Sequence, residues 1–449
     1  MVSASEQVMS NMSLGLLAKA GDLRRRVLFT LLILLVCRFG AYLPLPGIDA
    51  EVFYQSFAGN QRSIIGLFNM FSGGAVGRMA IFALGIMPYI SASIVVQLMS
   101  AVIPEWKSLK EEGEGGRLRL GQYARRLTIV IGSLQGFGVA TGLLAAEGVV
   151  FFPRLFFILT TVATLLAGSI LLMWLGEQIS AMGVGNGTSL IIFSGIVAEF
   201  PDAVLGVLEL SRQGSISGFA VLTSFMMLVF AICFVVFMER SQRRLLVQYP
   251  RRQVGAREML QSQSSHLPLK VNMSGVIPPI FASALLLLPA TVSSLSVRAD
   301  GSSAYLGVFN TIAVMLTPGH LLYSLVYVGL ISFFCFFYTA FVFDPNNVAK
   351  QLKKSGGFIP GVRPGEKTAS YIDYVLTRIT VLGALYISGV CLLPEFLVSW
   401  VEVPFYFGGT AMLIIVSVTM DTVAQVQGHL FSYQYEGLIN RTKLRDVWK

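Results

Sequence analysis

Apolar residues recur along this chain in runs of about 20, the length a helix needs to cross roughly 30 Å of hydrocarbon, and that recurrence limits the possible folds more than any motif does. Lipid offers a backbone no hydrogen bonds, so each run has to satisfy its own polar groups as a helix and pack against its neighbours. Ten candidate spans follow: 27–43, 79–103, 127–146, 155–175, 188–208, 219–238, 271–292, 321–343, 375–393 and 403–427. The expected fold class is all-α and polytopic. Glu199, Pro201 and Asp202 interrupt the fifth span, which predicts an early end followed by a stretch outside the membrane. The first run starts at Val27 behind a polar stretch and has no small-residue cleavage site after it, so it reads as a retained anchor. Composition agrees with this class: only 13% of residues are charged, against about 25% in an ordinary soluble domain, and 54% are hydrophobic.

Charge sets the expected orientation, because loops rich in Lys and Arg stay in the cytoplasm. With the N-terminus inside, the basic segments 1–26, 104–126, 239–270, 344–374 and 428–449 all fall on the cytoplasmic side. The opposite side receives only Arg62, Arg78, Arg154, Arg212 and Arg298 of the chain's 33 Lys and Arg, while Arg38 lies within the first span. Both termini are then cytoplasmic. Retention beside anionic lipid accounts for most such loops. The two long ones, 239–270 and 344–374, are also rich in Gly, Pro and Gln, a composition suited to docking a large acidic or RNA-bearing partner.

Cutting the ten spans into two sets of five exposes a repeat. The second span of the first set reads Gly85, Ile86, Met87, Pro88, Tyr89, Ile90, Ser91, Ala92, Ser93; its counterpart reads Gly275, Val276, Ile277, Pro278, Pro279, Ile280, Phe281, Ala282, Ser283. Both fit GxxPxIxAS. Because five is odd, the two sets run in opposite orientations, the inverted arrangement that transport proteins build around a midplane pathway. The domain organisation read from this is an N-terminal segment 1–26, a first half 27–210, a second half 211–427 and a tail 428–449.

Signals for chemistry are poor. Cys37, Cys233, Cys335 and Cys391 all lie inside apolar runs without CxxC spacing and read as small buried hydrophobes. The stretch from Gly361 to Thr368 lacks the P-loop spacing, since Glu366 precedes Lys367 and the second Gly comes one residue early. His266, His320 and His429 share no metal-ligand spacing. Gly183, Val184, Gly185, Asn186 and Gly187 read as a flexible start to the fifth span. No cofactor, metal or catalytic residue is indicated. Arg38 and Asp421 sit inside spans at different depths, so they do not form a direct pair, although Arg38 could snorkel or pair with a neighbouring helix. A coupled transporter of a small solute remains the alternative, but it would place acids nearer the midplane.

Eight stretches in chain order resemble one family, the SecY/Sec61 alpha protein-conducting channels: YLPLPGI from Tyr42, NMFSGGA from Asn69, FALGIMPYISAS from Phe82, LMWLGEQ from Leu172, SHLPLKVNM from Ser265, FFCFFYTA from Phe333, LKKSGGFIPGVRPG from Leu352 and FYFGGT from Phe405. The resemblance runs from the first span to the last and is closest to the bacterial members. It implies a clamshell of two five-span halves around an hourglass pore in the bacterial inner membrane, through which unfolded, signal-sequence-bearing polypeptides pass. Membrane segments would leave sideways into the lipid bilayer through a lateral gate between the second and seventh spans, where Gly85, Pro88, Gly275, Pro278 and Pro279 would weaken backbone hydrogen bonding and ease bending.

The resemblance also implies a waist of apolar side chains, here Ile86, Ile90, Ile192, Ile280 and Ile414, with Thr188 where the family often carries a further Ile. A narrow apolar constriction dewets and resists ions, while β-branched side chains present no specific partner to a passing chain. Residues 64–78 resemble the family's plug: Phe68, Met70 and Phe71 are apolar, Asn69 and Ser72 are polar, and Gly73 and Gly74 make a hinge in place of a span. Among the basic loops, Arg363 resembles the family's arginine for coupling to the SecA motor ATPase, and Arg251, Arg252 and Arg257 lie where SecA or the ribosome would dock. Ala256 departs from the family, which often has a second Arg beside Arg257, so weaker ribosome contacts are expected. Small subunits resembling SecE and SecG would complete the assembly.

Overall fold

The structure is a computed structural model, and it describes residues 21–49, 53, 69, 72–145, 150–214, 217–249, 264–296, 321–401 and 409–447. The expected plug residues Phe68, Met70 and Phe71 and the docking residues Arg251, Arg252 and Arg257 lie outside the described residues. Each of the ten sequence spans holds a helix: α1 Gly21–Gly40, α2 Met87–Val102, α4 Glu114–Ala145, α5 Arg154–Met182, α6 Gly187–Arg212, α7 Gly218–Arg240, α8 Ile277–Ser296, α9 Leu321–Val342, α11 Glu366–Val401 and α12 Gly409–Val447. Two short helices, α3 Pro104–Glu111 and α10 Pro345–Lys354, lie between spans. Among the described residues, seven helices are long and apolar enough to cross a membrane, and α2 and the start of α8 are shorter apolar helices. In α1 the 20-residue helix includes four arginines, Arg24, Arg25, Arg26 and Arg38, which dilute its apolar stretch. The protein is a multi-pass helical membrane protein.

Apolar side chains point outward where a membrane would surround them. Leu35 is 70% exposed and Leu385 is 72% exposed, a distribution that water would punish and lipid does not. Helix limits follow local chemistry. Ser217 caps α7 by accepting from the Ala220 N–H at 3.2 Å. Asp344 caps α10, its carboxylate accepting from the N–H groups of Asn346 (2.9 Å) and Asn347 (3.3 Å), with Pro345 in the first turn, where its missing N–H costs nothing.

The chain divides into two compact units: residues 1–89, 125–201 and 418–449 form the first, and residues 90–124 and 202–417 form the second. In the first, α1 packs on α5, and the loop after α1 pairs with the residues that precede α2. Leu45 N–H donates to the Met79 carbonyl and Ile81 N–H to the Leu43 carbonyl, both at 2.9 Å, so Met79 and Ile81 find partners in the loop after α1, while Ala83 and Gly85 bond within turns of their own segment. Its core holds Leu45, Val76, Met79, Leu84, Phe157 and Leu165. The glycine run before α6 is tied down: Val184 N–H donates to Thr30 Oγ1 at 3.1 Å and Gly185 N–H to Gln425 Oε1 at 2.9 Å. The expected flexibility is therefore replaced by a fixed turn, with Gly185 at φ +91°.

In the second unit α8 packs on α9, α9 on α11, and α7 on α11. Strands β1 Gln242–Gln248 and β2 Ser264–Lys270 form an antiparallel hairpin with Leu245 opposite Leu267. Leu245, Val247 and Leu269 pack on Ile359, Ile372 and Val375, which seats the hairpin on the start of α11. The two long basic loops thus share one apolar footing.

Candidate functional site

Residues 73–86, ahead of α2, are built largely from turns, and their side chains explain why. Gly73 (φ +67°) and Gly74 (φ +80°) take a conformation that L-residues avoid. Ser72 Oγ donates to the Asn69 carbonyl at 2.9 Å and accepts from Val76 N–H at 3.2 Å, while Asn69 Oδ1 accepts from Gly77 N–H at 2.6 Å. These two polar side chains satisfy backbone groups that a longer helix would have paired. The segment also lies hard against α6: a Cβ added to Gly73 would lie 2.8 Å from the Gly195 Cα, and one added to Gly74 would lie 2.8 Å from Glu199 Oε1.

Two charged residues outside the segment hold it. Arg38, near the end of α1, donates from Nη1 to the Gly73 carbonyl and from Nη2 to the Tyr42 hydroxyl at 3.2 Å. Asn69 Nδ2 donates to Glu199 Oε1 at 3.2 Å. The Tyr42 ring lies under both Arg38 and Arg78, whose guanidinium carbons sit 5.0 and 4.2 Å from its centroid. Arg38 was expected to snorkel or pair with a neighbouring helix; its partner is instead the backbone of this loop. Glu199 was read only as an interruption of the fifth span. The helix in fact runs unbroken through Pro201 to Arg212, and the Glu199 carboxylate turns to the loop segment.

A cavity in the first unit brings together residues that the sequence placed in three different roles: Ser72 of the turn segment, Gly85, and the ring candidates Ile86 and Ile192, beside Cys37 and Arg38. The ring candidates do not face lipid. Ile86 is 4% exposed, Ile90 8%, Ile192 5% and Ile414 1%, and Ile280 is partly buried. Ile90, Ile280 and Ile414 belong to the second unit. Thr188 directs its hydroxyl to Asn186 Oδ1 at 2.8 Å, and its N–H reaches the same oxygen at 3.2 Å. The polar group that sets it apart from isoleucine is therefore satisfied within its own turn.

The two copies of GxxPxIxAS fold alike. Gly85 (φ +57°) and Gly275 (φ +64°) each stand two residues ahead of a helix that begins at Met87 or Ile277. Pro88, Pro278 and Pro279 accordingly sit in first turns, where no intrahelical bond is lost. Their role is to start the helices, and any bending they permit lies at the mouth of each helix and not in its interior. Beside the second copy, Asn272 donates to Glu239 Oε1 at 2.6 Å and to the Gly275 carbonyl at 3.1 Å, and Ser274 donates to Asn272 Oδ1 at 3.1 Å. This buried cluster fixes the glycine turn from both sides, and no sequence motif announced it.

On the loop before α11, Arg363 is exposed on a tight tip, between Gly361 (φ +83°) and Gly365 (φ +113°). Thr368 Oγ1 donates back to the Arg363 carbonyl at 2.8 Å and closes the turn. Its guanidinium is thus presented on a firm backbone, with Ile359 buried in the core beneath.

The SecY family model matches residues 80–423. The protein translocase subunit SecY of Escherichia coli (strain K12) is 51% identical over 429 residues, covering 95% of this chain and 96% of that protein. The corresponding subunit of Pseudomonas aeruginosa is 51% identical over 424 residues, covering 94% and 95%. That of Rickettsia conorii is 48% identical over 429 residues, covering 95% and 98%. Among solved structures, a protein conducting channel superposes with a TM-score of 0.66 at 18% identity, covering 90% of this chain and 91% of that one. A SecY whose plug domain stabilises the closed state of its channel gives 0.63 at 19% identity with the same coverage. Sec61 in the canine ribosome-channel complex gives 0.62 at 18% identity, again covering 90% and 91%.

Proposed function

Since the chain belongs to the SecY family of protein translocase subunits, we propose that it forms the pore through which unfolded, signal-sequence-bearing polypeptides cross the bacterial inner membrane. It carries no energy-converting chemistry of its own. Direction comes from a partner, either a motor ATPase resembling SecA or a translating ribosome, and small subunits resembling SecE and SecG complete the complex. Both termini and the long basic loops face the cytoplasm, as the distribution of Lys and Arg requires.

In this reading Ile86, Ile90, Ile192, Ile280 and Ile414, with Thr188, make a waist that dewets and blocks ions until a polypeptide wedges it apart. Residues 64–78 act as its plug. The observation that carries the assignment is the cavity that Ser72 shares with Ile86 and Ile192, because it sets a loop segment against two ring candidates, one just ahead of α2 and one on α6. The helices that start at Met87 and Ile277 are the gate, and a signal sequence, itself an apolar helix, is stabilised between them facing lipid. Arg363 on its firm tip, together with Arg251, Arg252 and Arg257, offers the motor or ribosome a cationic surface.

Depleting the protein in cells and following a secretory precursor tests the function. Accumulation of uncleaved precursor is the expected result; a solute-uptake defect with normal precursor processing would favour the coupled transporter instead.

A further inference from the structure

The plug candidate is held by two bonds of different kinds, both made by charged residues that lie outside it. Arg38 reaches a backbone carbonyl, that of Gly73, so no change of side chain within the plug can remove its acceptor. Glu199 accepts from a side chain, that of Asn69, so this second hold is made to the plug's side chains and not to its backbone. Neither charge is positioned by chance. Arg38 is braced by Tyr42 on the same stretch of chain, and Glu199 stands one turn beyond Gly195, whose Cα would lie 2.8 Å from a Cβ added to Gly73. Hydrogen bonds made by charged groups are stronger than neutral ones, and each of these half-buried charges makes one to the plug.

We infer that Arg38 and Glu199 are positioning residues that hold the plug in the resting channel through two independent latches, one on its backbone and one on Asn69. The inference rests on residues 64–78 being the plug. It goes further in assigning the hold to these two residues and in stating how they combine. Loss of either latch leaves the other intact, so their effects on plug release multiply. Asn69 and Glu199 share one bond, so their combined effect falls short of the product by what that bond is worth.

The test measures plug release without transport. Ser72→Cys is introduced into a chain whose own four cysteines, Cys37, Cys233, Cys335 and Cys391, are replaced, and the rate of labelling by a membrane-impermeant maleimide is followed in proteoliposomes without motor. Arg38→Met and Glu199→Ala should each speed labelling about tenfold, the ratio that about 1.4 kcal/mol represents. The double variant should approach a hundredfold, whereas Asn69→Ala combined with Glu199→Ala should fall about tenfold short of the product of their single effects. Glu199→Gln keeps an acceptor oxygen and should return labelling most of the way to the parent rate. Labelling of Arg38→Met within about twofold of the parent, or multiplying effects of Asn69→Ala and Glu199→Ala, would overturn the inference. Preprotein uptake by the same vesicles separates the two readings. Parent vesicles that fail to take up preprotein contradict the proposed function, while the labelling rates still decide the latches. Should Arg38→Met not assemble, Arg38→Gln supplies the same comparison.

Discussion

Replacing Gly73 with alanine isolates what the plug's close approach to α6 is worth. At φ +67° an L-residue incurs about 1–2 kcal/mol of backbone strain. The new Cβ would also lie 2.8 Å from the Gly195 Cα, a backbone atom of a membrane helix that has little freedom to retreat, which adds about 1–3 kcal/mol by analogy with an overpacked core. Together about 2–5 kcal/mol bears on the docking of one short segment, because the rest of the fold does not depend on that contact. Even the lower figure raises the undocked fraction about 30-fold. The assay is halide efflux from proteoliposomes holding the resting channel, with no motor and no preprotein. Gly214→Ala is the control: that glycine has φ +75° but nothing within 4 Å of an added Cβ, so it suffers the strain without the collision. Efflux should rise strongly in Gly73→Ala and stay at the parent level in Gly214→Ala. Equal efflux in Gly73→Ala and the parent would refute the reasoning.

Other expectations concern the gate and the docking surface. Arg363→Glu should abolish motor-driven preprotein uptake while leaving the amount of folded protein unchanged, since the side chain is exposed and only its backbone is tied to Thr368; normal uptake would remove its assigned role. A disulfide engineered between the helices that begin at Met87 and Ile277 should stop export under oxidising conditions and release it on reduction, and export that persists would show that lateral opening is not required. Asn272→Ala removes a buried bond to Glu239 and the brace on Gly275, which should lower stability by about 2 kcal/mol and reduce the denaturation midpoint. An unchanged midpoint would mean that the cluster carries no structural load.

Much of the fold was legible because hydropathy acts over whole helices. Every expected span contains one, and the repeat GxxPxIxAS proved to be a shared local structure with glycine at positive φ ahead of each helix. The exceptions have identifiable physical causes. Residues 79–86 are apolar enough to be read as the start of a span, yet they form turns, with Met79 and Ile81 bonded to Leu45 and Leu43, partners far away in sequence. Pro201 predicted a stop, but α6 tolerates it, as membrane helices often do when neighbouring groups satisfy the freed carbonyl. Thr188 looked like a gap in a greasy ring, and the answer lay two residues upstream in Asn186. Charged residues were the hardest to place. Arg38 was conspicuous inside a span, but its acceptor is a carbonyl 35 residues away, and Asn69 meets Glu199 across a separation of 130. No local pattern encodes such a pairing, because it exists only once the loop has folded back between the helices.

The central claim is that a dry, plugged waist opens for an unfolded chain and for little else. Its most direct test reconstitutes this subunit with its small partners and motor in sealed vesicles, and then follows a radiolabelled preprotein and a small neutral solute together. The account predicts protease-protected preprotein that requires ATP, with solute excluded from vesicles at rest. Steady uptake of the solute with no protected preprotein would contradict it.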